Sequence, residues 1–84
     1  MDWLNEINKI QCKEDFIRFI WNLVNDFKLH EEDWHNKNLL DYLEAIGYWT
    51  EDMEGFYLNS NLQIPKDTDW KVFANILIGA IVYE

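Results

Sequence analysis

The last stretch of the chain, Asp69 to Glu84 (DWKVFANILIGAIVYE), restricts the fold more than any other. Wound as a helix at about 100° per residue, it carries Trp70, Phe73, Ala74, Leu77, Ile78, Ala80 and Ile81 on one broad face. Val72, Ile76 and Tyr83 fall together on the opposite side, and Lys71 and Asn75 form a narrow polar strip between the groups. A helix apolar nearly all round is either the centre of a packed domain or half of an interface. Its apolar run is well short of the roughly 20 residues that a membrane span needs. The stretch therefore reads as the central core helix of a small all-α domain. Its second face, Val72, Ile76 and Tyr83, is a candidate homodimer surface.

At 84 residues the chain makes one domain, just above the range of about 70 to 80 residues below which one core rarely suffices without staples. Cys12 is the only cysteine, so no internal disulfide forms and no paired metal-binding cysteines exist. A reducing cytoplasm is the expected compartment. The opening MDWLNEINKI has an acid at position 2 and no long apolar run, unlike a secretory signal. Burial must then stabilise the fold, and five Trp, five Phe and four Tyr supply it. Each buried aromatic removes about 150 to 250 Å² from water, more in total than so small a domain easily hides. Some aromatics should stand at a contact surface.

Sixteen acidic residues against seven basic ones give a formal charge of -9. This argues against nucleic acid and anionic membranes, which need Lys and Arg clusters. A basic protein partner suits the field better, although solubility alone also explains such a charge.

Along the chain, Trp3, Leu4, Ile7 and Ile10 predict a short N-terminal helix or arm within residues 1–11, too short to stand alone and expected to dock on the second face of the last helix. From Lys13 to about Leu29, Phe16, Ile20, Leu23 and Phe27 form one apolar line with Ile17 and Val24 beside it; Phe19 and Trp21 sit at its edges. Cys12 is a poor N-cap. The connector HEEDWHNK carries Trp34, a residue suited to pinning a loop to the core. Asn38 reads as the N-cap of a helix from Leu39 to at least Asp52, with Leu58 as its outer bound, and Asp41 completes an imperfect capping box. That helix should bury Leu39, Tyr42, Leu43, Ile46, Trp49 and Met53, with Gly47 allowing a close crossing. Asn59, Ser60 and Asn61 end it, Pro65 disfavours helix at Ile64, and Asp69 caps the last helix. The expected architecture is a compact three- to four-helix bundle: a short N-terminal helix plus three main helices, the last one central, in one domain of an arm (1–11) and a core (12–84).

The sharpest candidate site is the outer face of the third helix. Asp41, Glu44, Glu51 and Asp52 share it, and Tyr48 sits in their midst. An aromatic ringed by acids is a plausible anchor for an Arg- or Lys-bearing partner; the competing reading is a solvated face with one amphipathic Tyr. Metal and catalytic readings find less support. His30 and His35 are off the four-residue helical spacing, and a small metal-dependent enzyme using either with nearby acids ranks lowest. Asp67 and Asp69 begin like a calcium loop that does not continue. Thr50, Ser60, Thr68 and Cys12 lack a nucleophile's context. Neither a metal nor an organic cofactor is expected.

Trp34, Asn36, Leu39 to Ala45, Trp49, Asp52, Trp70, Phe73, Ala74, Leu77, Ala80 and Tyr83-Glu84 together resemble a small bacterial domain family of unknown function. Its members read roughly WxNxTLxxYLEA, then W with an acid three on, then WxxFAxxLxxAxxYE. Lys13 to Ile20 resembles the family's opening. Asn38 stands where the family has Thr or Ser, Cys12 stands at what looks like a Ser cap, and residues 1–11 lie outside the pattern. The resemblance implies the all-α fold and says little about a site. Small acidic families of this kind look like immunity proteins or inhibitors, an analogy of size and charge. The leading expectation is a non-enzymatic acidic interaction module. The alternative is a homodimeric structural protein.

Overall fold

The computed structural model describes residues 2–83. Four α-helices are present: α1 (Trp3–Asn8), α2 (Lys13–Leu29), α3 (Leu39–Asn59) and α4 (Trp70–Val82), with a 3-10 turn at Glu31–Asp33 and no strand among the described residues. Glu84, the expected end of the last helix, lies outside them, and Tyr83 has already left the helix as its extended C-cap.

Local chemistry sets the helix ends. Free N–H groups in a first turn need acceptors. Asp69 accepts from Val72 N–H at 2.9 Å, and Asn38 accepts from Asp41 N–H at 2.8 Å. The Asn38 amide also donates to the Asp41 carboxylate at 2.9 Å, which completes the reciprocal cap. Cys12 makes no capping bond; Asp15 works from inside the helix instead, its carboxylate accepting from Gln11 N–H at 3.0 Å and pairing with Arg18. That backbone bond from Gln11, ahead of the Arg18 charge, holds the Asp15 carboxyl below its ordinary range. At the far end of α3, Asn61 takes a left-handed φ of 57°. Leu62 N–H reaches Tyr57 C=O at 2.9 Å and Asn61 N–H reaches Leu58 C=O at 3.2 Å, the paired closure of a Schellman end with Asn in the place Gly usually takes.

The C-terminus of α4 is closed by a segment far away in the chain. His35 and Asn36 donate their backbone N–H groups to Ile81 C=O at 3.1 and 3.0 Å. The Asn36 side chain donates to the carbonyls of Ala80 and Tyr83 at 2.8 and 2.9 Å. Trp34 holds this connector in place. It is buried, donates from Nε1 to Asp26 at 2.8 Å, and lies between Phe27 and Tyr42.

Helices α1, α2 and α3 all pack on α4, whose Ala74 and Ala80 are fully buried. The central role expected for this helix is what the structure shows. Its second face is shared by α3 and α1: Trp49 meets Gly79, Tyr57 bonds to Asn75, and Tyr83 bonds to Asp52, while Leu4, Ile7 and Asn8 of α1 line the same hollow as Val72. Helix α1 lies beside them, with Ile7 and Ile10 buried and Trp3 edge-on to Phe19 of α2. That cover buries Phe19, expected at the edge of the α2 stripe, and leaves Ile17 exposed.

The buried stripe of α3 also differs from the expected one. Ala45, Trp49 and Tyr57 are buried, and Tyr42, Ile46, Met53 and Phe56 are half-buried. Leu39 and Leu43 are 73% and 54% exposed. A single neighbouring helix covers one narrow stripe, and the stripe is chosen where backbones approach closest. That place is Gly79, where an added Cβ would fall 2.1 Å from Trp49 Nε1; Gly47, expected to allow the crossing, has nothing within 4 Å.

Gly79→Ala should therefore destabilise the domain by about 1 to 3 kcal/mol through overpacking. Gly47→Ala and Gly55→Ala, both in open space, should each stabilise by about 0.5 to 1 kcal/mol. Urea unfolding of the three variants checks the contrast; a similar response from all three contradicts the assignment of the crossing point.

Candidate partner-binding surface

The five residues proposed from sequence for partner binding all lie exposed on α3, but they are not equivalent. Helical spacing places Asp41, Glu44, Tyr48, Glu51 and Asp52 on the side turned from the core. Tyr48 is 56% exposed, and among the described residues neither Glu44 nor Glu51 is in an ion pair, the pairs being Lys9–Glu6 and Arg18–Asp15. These three side chains are available. Asp41 is engaged by Asn38 in the helix cap and adds charge without being free to turn.

Asp52 has a different job. Its carboxylate accepts from the Tyr83 hydroxyl and ties the end of the chain to α3. The same bond, ahead of burial, holds the Tyr83 proton on and raises its pKa. Asp52 is thus a structural partner of Tyr83 as well as a surface charge. Tyr42, which helps hold α3 to α4 by donating to Leu77 C=O at 2.8 Å, has its pKa pushed up to about 12 by burial.

The candidate dimer face does not stand free. Val72 is buried at 5% exposure beside residues of α1 and α3, Ile76 is half-buried, and half-buried Tyr83 is bonded to Asp52 of α3. The histidines expected for the lowest-ranked reading separate. Ligand-type atoms of His30, Glu32 and Asp33 lie within 4.8 Å of one another, all on exposed residues, where water competes for each of them. His35 is not in this group.

Sequence reasoning missed the apolar surfaces between the helices that rest on α4. One is a cleft of about 450 Å³ between α1 and α3, with Trp3, Leu4 and Phe56 on its walls and Ile78 and Gly79 in its floor. The other is a groove of about 370 Å³ between α2 and α3, floored by Leu77. Trp21 stands 66% exposed on the α2 side and Phe73 46% exposed on α4. The surplus of aromatics signalled that some would be exposed. Their positions depend on the helix crossings, which periodicity does not encode.

No helix among the described residues is long and apolar enough to cross a membrane. A family model described as a family of unknown function (DUF7660) matches residues 12–84. The match begins at the N-cap of α2, so α1 lies outside it. No curated protein and no solved structure matches the chain.

The raised Tyr42 pKa makes an alkaline prediction. Burial disfavours the phenolate, so the stability that neutral Tyr42 contributes is complete below its ordinary value of 10.0 and is lost as pH climbs toward about 12. Urea unfolding between those pH values should show a falling stability for the wild type and a shallower fall for Tyr42→Phe. Equal slopes would place Tyr42 in contact with water.

Proposed function

The chain belongs to the DUF7660 family, whose function is unknown, and we propose that it is a non-enzymatic, acidic interaction module. It binds a basic protein partner in the cytoplasm through the outer face of α3, in the manner of an immunity protein or inhibitor. The observation that carries this reading is Tyr48, a large exposed aromatic flanked on one helix face by the unpaired carboxylates of Glu44 and Glu51. Tyrosine contributes area and a hydroxyl at small entropic cost, the profile of an interface anchor. The surrounding acids, within a chain of formal charge -9, steer a cationic partner toward it. Asp41 and Asp52 support the field while holding the helix cap and the Tyr83 tie.

The experiment is affinity capture from the native host with the tagged chain as bait, first at low and then at high salt. The expected result is a stoichiometric basic protein released by salt. Tyr48→Ala combined with Glu51→Lys should lower its affinity by about tenfold or more with the helical signal unchanged; this pair leaves the Asp52–Tyr83 tie intact. Undiminished affinity in the double variant overturns the reading.

A further inference from the structure

Trp34 and Trp49 are both more than nine-tenths buried, at 8% and 7% exposure, yet their indole N–H groups fare differently. Trp34 donates from Nε1 to Asp26 at 2.8 Å. Trp49 Nε1 has no hydrogen-bond partner among the described residues. An indole N–H is a donor only, and a buried one usually finds an acceptor. Among the described residues no fully enclosed side-chain nitrogen or oxygen lacks a partner, so Nε1 opens onto accessible space. The space that Trp49 lines is the cleft between α1 and α3. The pyrrole edge of the indole, Nε1 foremost, lies against Gly79 in the floor of that cleft. A donor is thus presented inside an apolar hollow, and its acceptor must come from whatever enters.

The rest of the lining selects the entrant. Trp3 and Leu4 of α1 and Phe56 of α3 give apolar walls, Asn8, Ser60 and Asn75 add uncharged polar groups, and no charged side chain lines the cleft. Charge first enters in the adjoining hollow, which shares Leu4 and Asn8 and brings in Asp69 and Lys71, one of each sign. An ion buried in the cleft would go without a counter-charge, which is costly. An anion would also meet the field of a chain of formal charge -9. The cleft volume of about 450 Å³ lies within the roughly 300 to 1,000 Å³ of sites that hold small molecules. Trp49 and Phe56, with ring centroids 5.4 Å apart, and Trp3 across from them offer ring faces and edges to a flat ligand.

We infer that the α1–α3 cleft binds a neutral, largely aromatic small molecule bearing a carbonyl-type oxygen, which accepts a hydrogen bond from Trp49 Nε1 while its ring rests among Trp3, Phe56 and Gly79. The donor belongs to the part of the chain that the family model matches, and the α1 wall to the part before it. The inference goes beyond the proposed function, with a different surface and a different class of ligand.

The test is two-dimensional nitrogen–proton NMR of the full chain, which gives an indole N–H signal for each of its five Trp; Trp49→Phe identifies the Trp49 signal by its loss. Three compounds with the same bicyclic ring are titrated: naphthyl methyl ketone, neutral with an acceptor; ethylnaphthalene, neutral without one; and naphthoate, an anion. The ketone should shift the Trp49 indole signal saturably, with a dissociation constant on the order of 1 mM or tighter. Naphthoate should bind more weakly than the ketone by about tenfold or more. Followed through the backbone signals of Ile78 and Gly79, Trp49→Phe should weaken the ketone about three- to tenfold and leave ethylnaphthalene within about twofold. A purely structural effect of the substitution would move both. Leu4→Glu, at a position 60% exposed, places a charge in the α1 wall and should weaken the ketone several-fold; it decides the matter if Trp49→Phe fails to keep its helical signal. Tyr48→Ala with Glu51→Lys should leave ketone binding within about twofold.

A Trp49 signal that the ketone does not move saturably overturns the inference and leaves water as the partner of Nε1. So does equal weakening of ketone and ethylnaphthalene in Trp49→Phe, naphthoate binding as tight as that of the ketone, or ketone affinity that ignores Leu4→Glu. Movement of the Trp49 signal with protein concentration alone, together with a doubled mass in light scattering, overturns it in favour of a second copy on the cleft.

Discussion

The close approach of α3 to α4 at Trp49 and Gly79 is the constraint on which the rest depends. With no Cβ at Gly79, the indole sits where a methyl group would otherwise be, and the two helices can come near enough for side chains to bridge them on either side. The Tyr42 hydroxyl reaches Leu77 C=O, Asn75 reaches the Tyr57 hydroxyl, and the Tyr83 hydroxyl reaches Asp52. A wider crossing would break these bonds together, and at Tyr42, Tyr57 and Asn75 it would leave part-buried polar groups unpaired.

With α4 held in this way, the other helices act as its cover. Three helices around one apolar rod do not close its surface, and the uncovered parts include the α1–α3 cleft and the α2–α3 groove. In a small domain much apolar surface stays in contact with water in any case. Here part of it is grouped: Ile20, Val24, Phe27 and Leu77 line one groove, while Tyr48 and its acids occupy the outer side of α3.

The sequence was most legible where chemistry is local. Asn38 and Asp69 are caps in the structure as their side chains suggest, Asn61 ends α3, and Trp34 pins the connector. The near-continuous apolarity of the last helix correctly marks it as central. What failed to show depends on contacts far apart in the chain. Leu39 and Leu43 have the same helical spacing as a core stripe and yet face water, because only the position of Gly79 decides which stripe of α3 meets α4. The role of Asn36 as a cap for α4 spans 44 residues of chain to Ala80. The tie from Tyr83 to Asp52 likewise adds a structural use to an acid of the outer face, across distant parts of the chain. Asn36, Asp52 and Tyr83 were all among the residues that carried the family resemblance, and each is a polar group whose use is to hold the core helix.

The centrality of α4 is the claim from which the exposed surfaces follow, and native-state amide hydrogen exchange tests it most directly. Helices whose opening requires global unfolding exchange last. The account predicts that the amides of Asn75 to Ile81 are the slowest in the molecule, with those of α1 and of the exposed ends of α2 and α3 exchanging earlier through local opening. Exchange from α4 as fast as from α2 would contradict it, since the helix would then be one wall of the domain and not the element the others depend on.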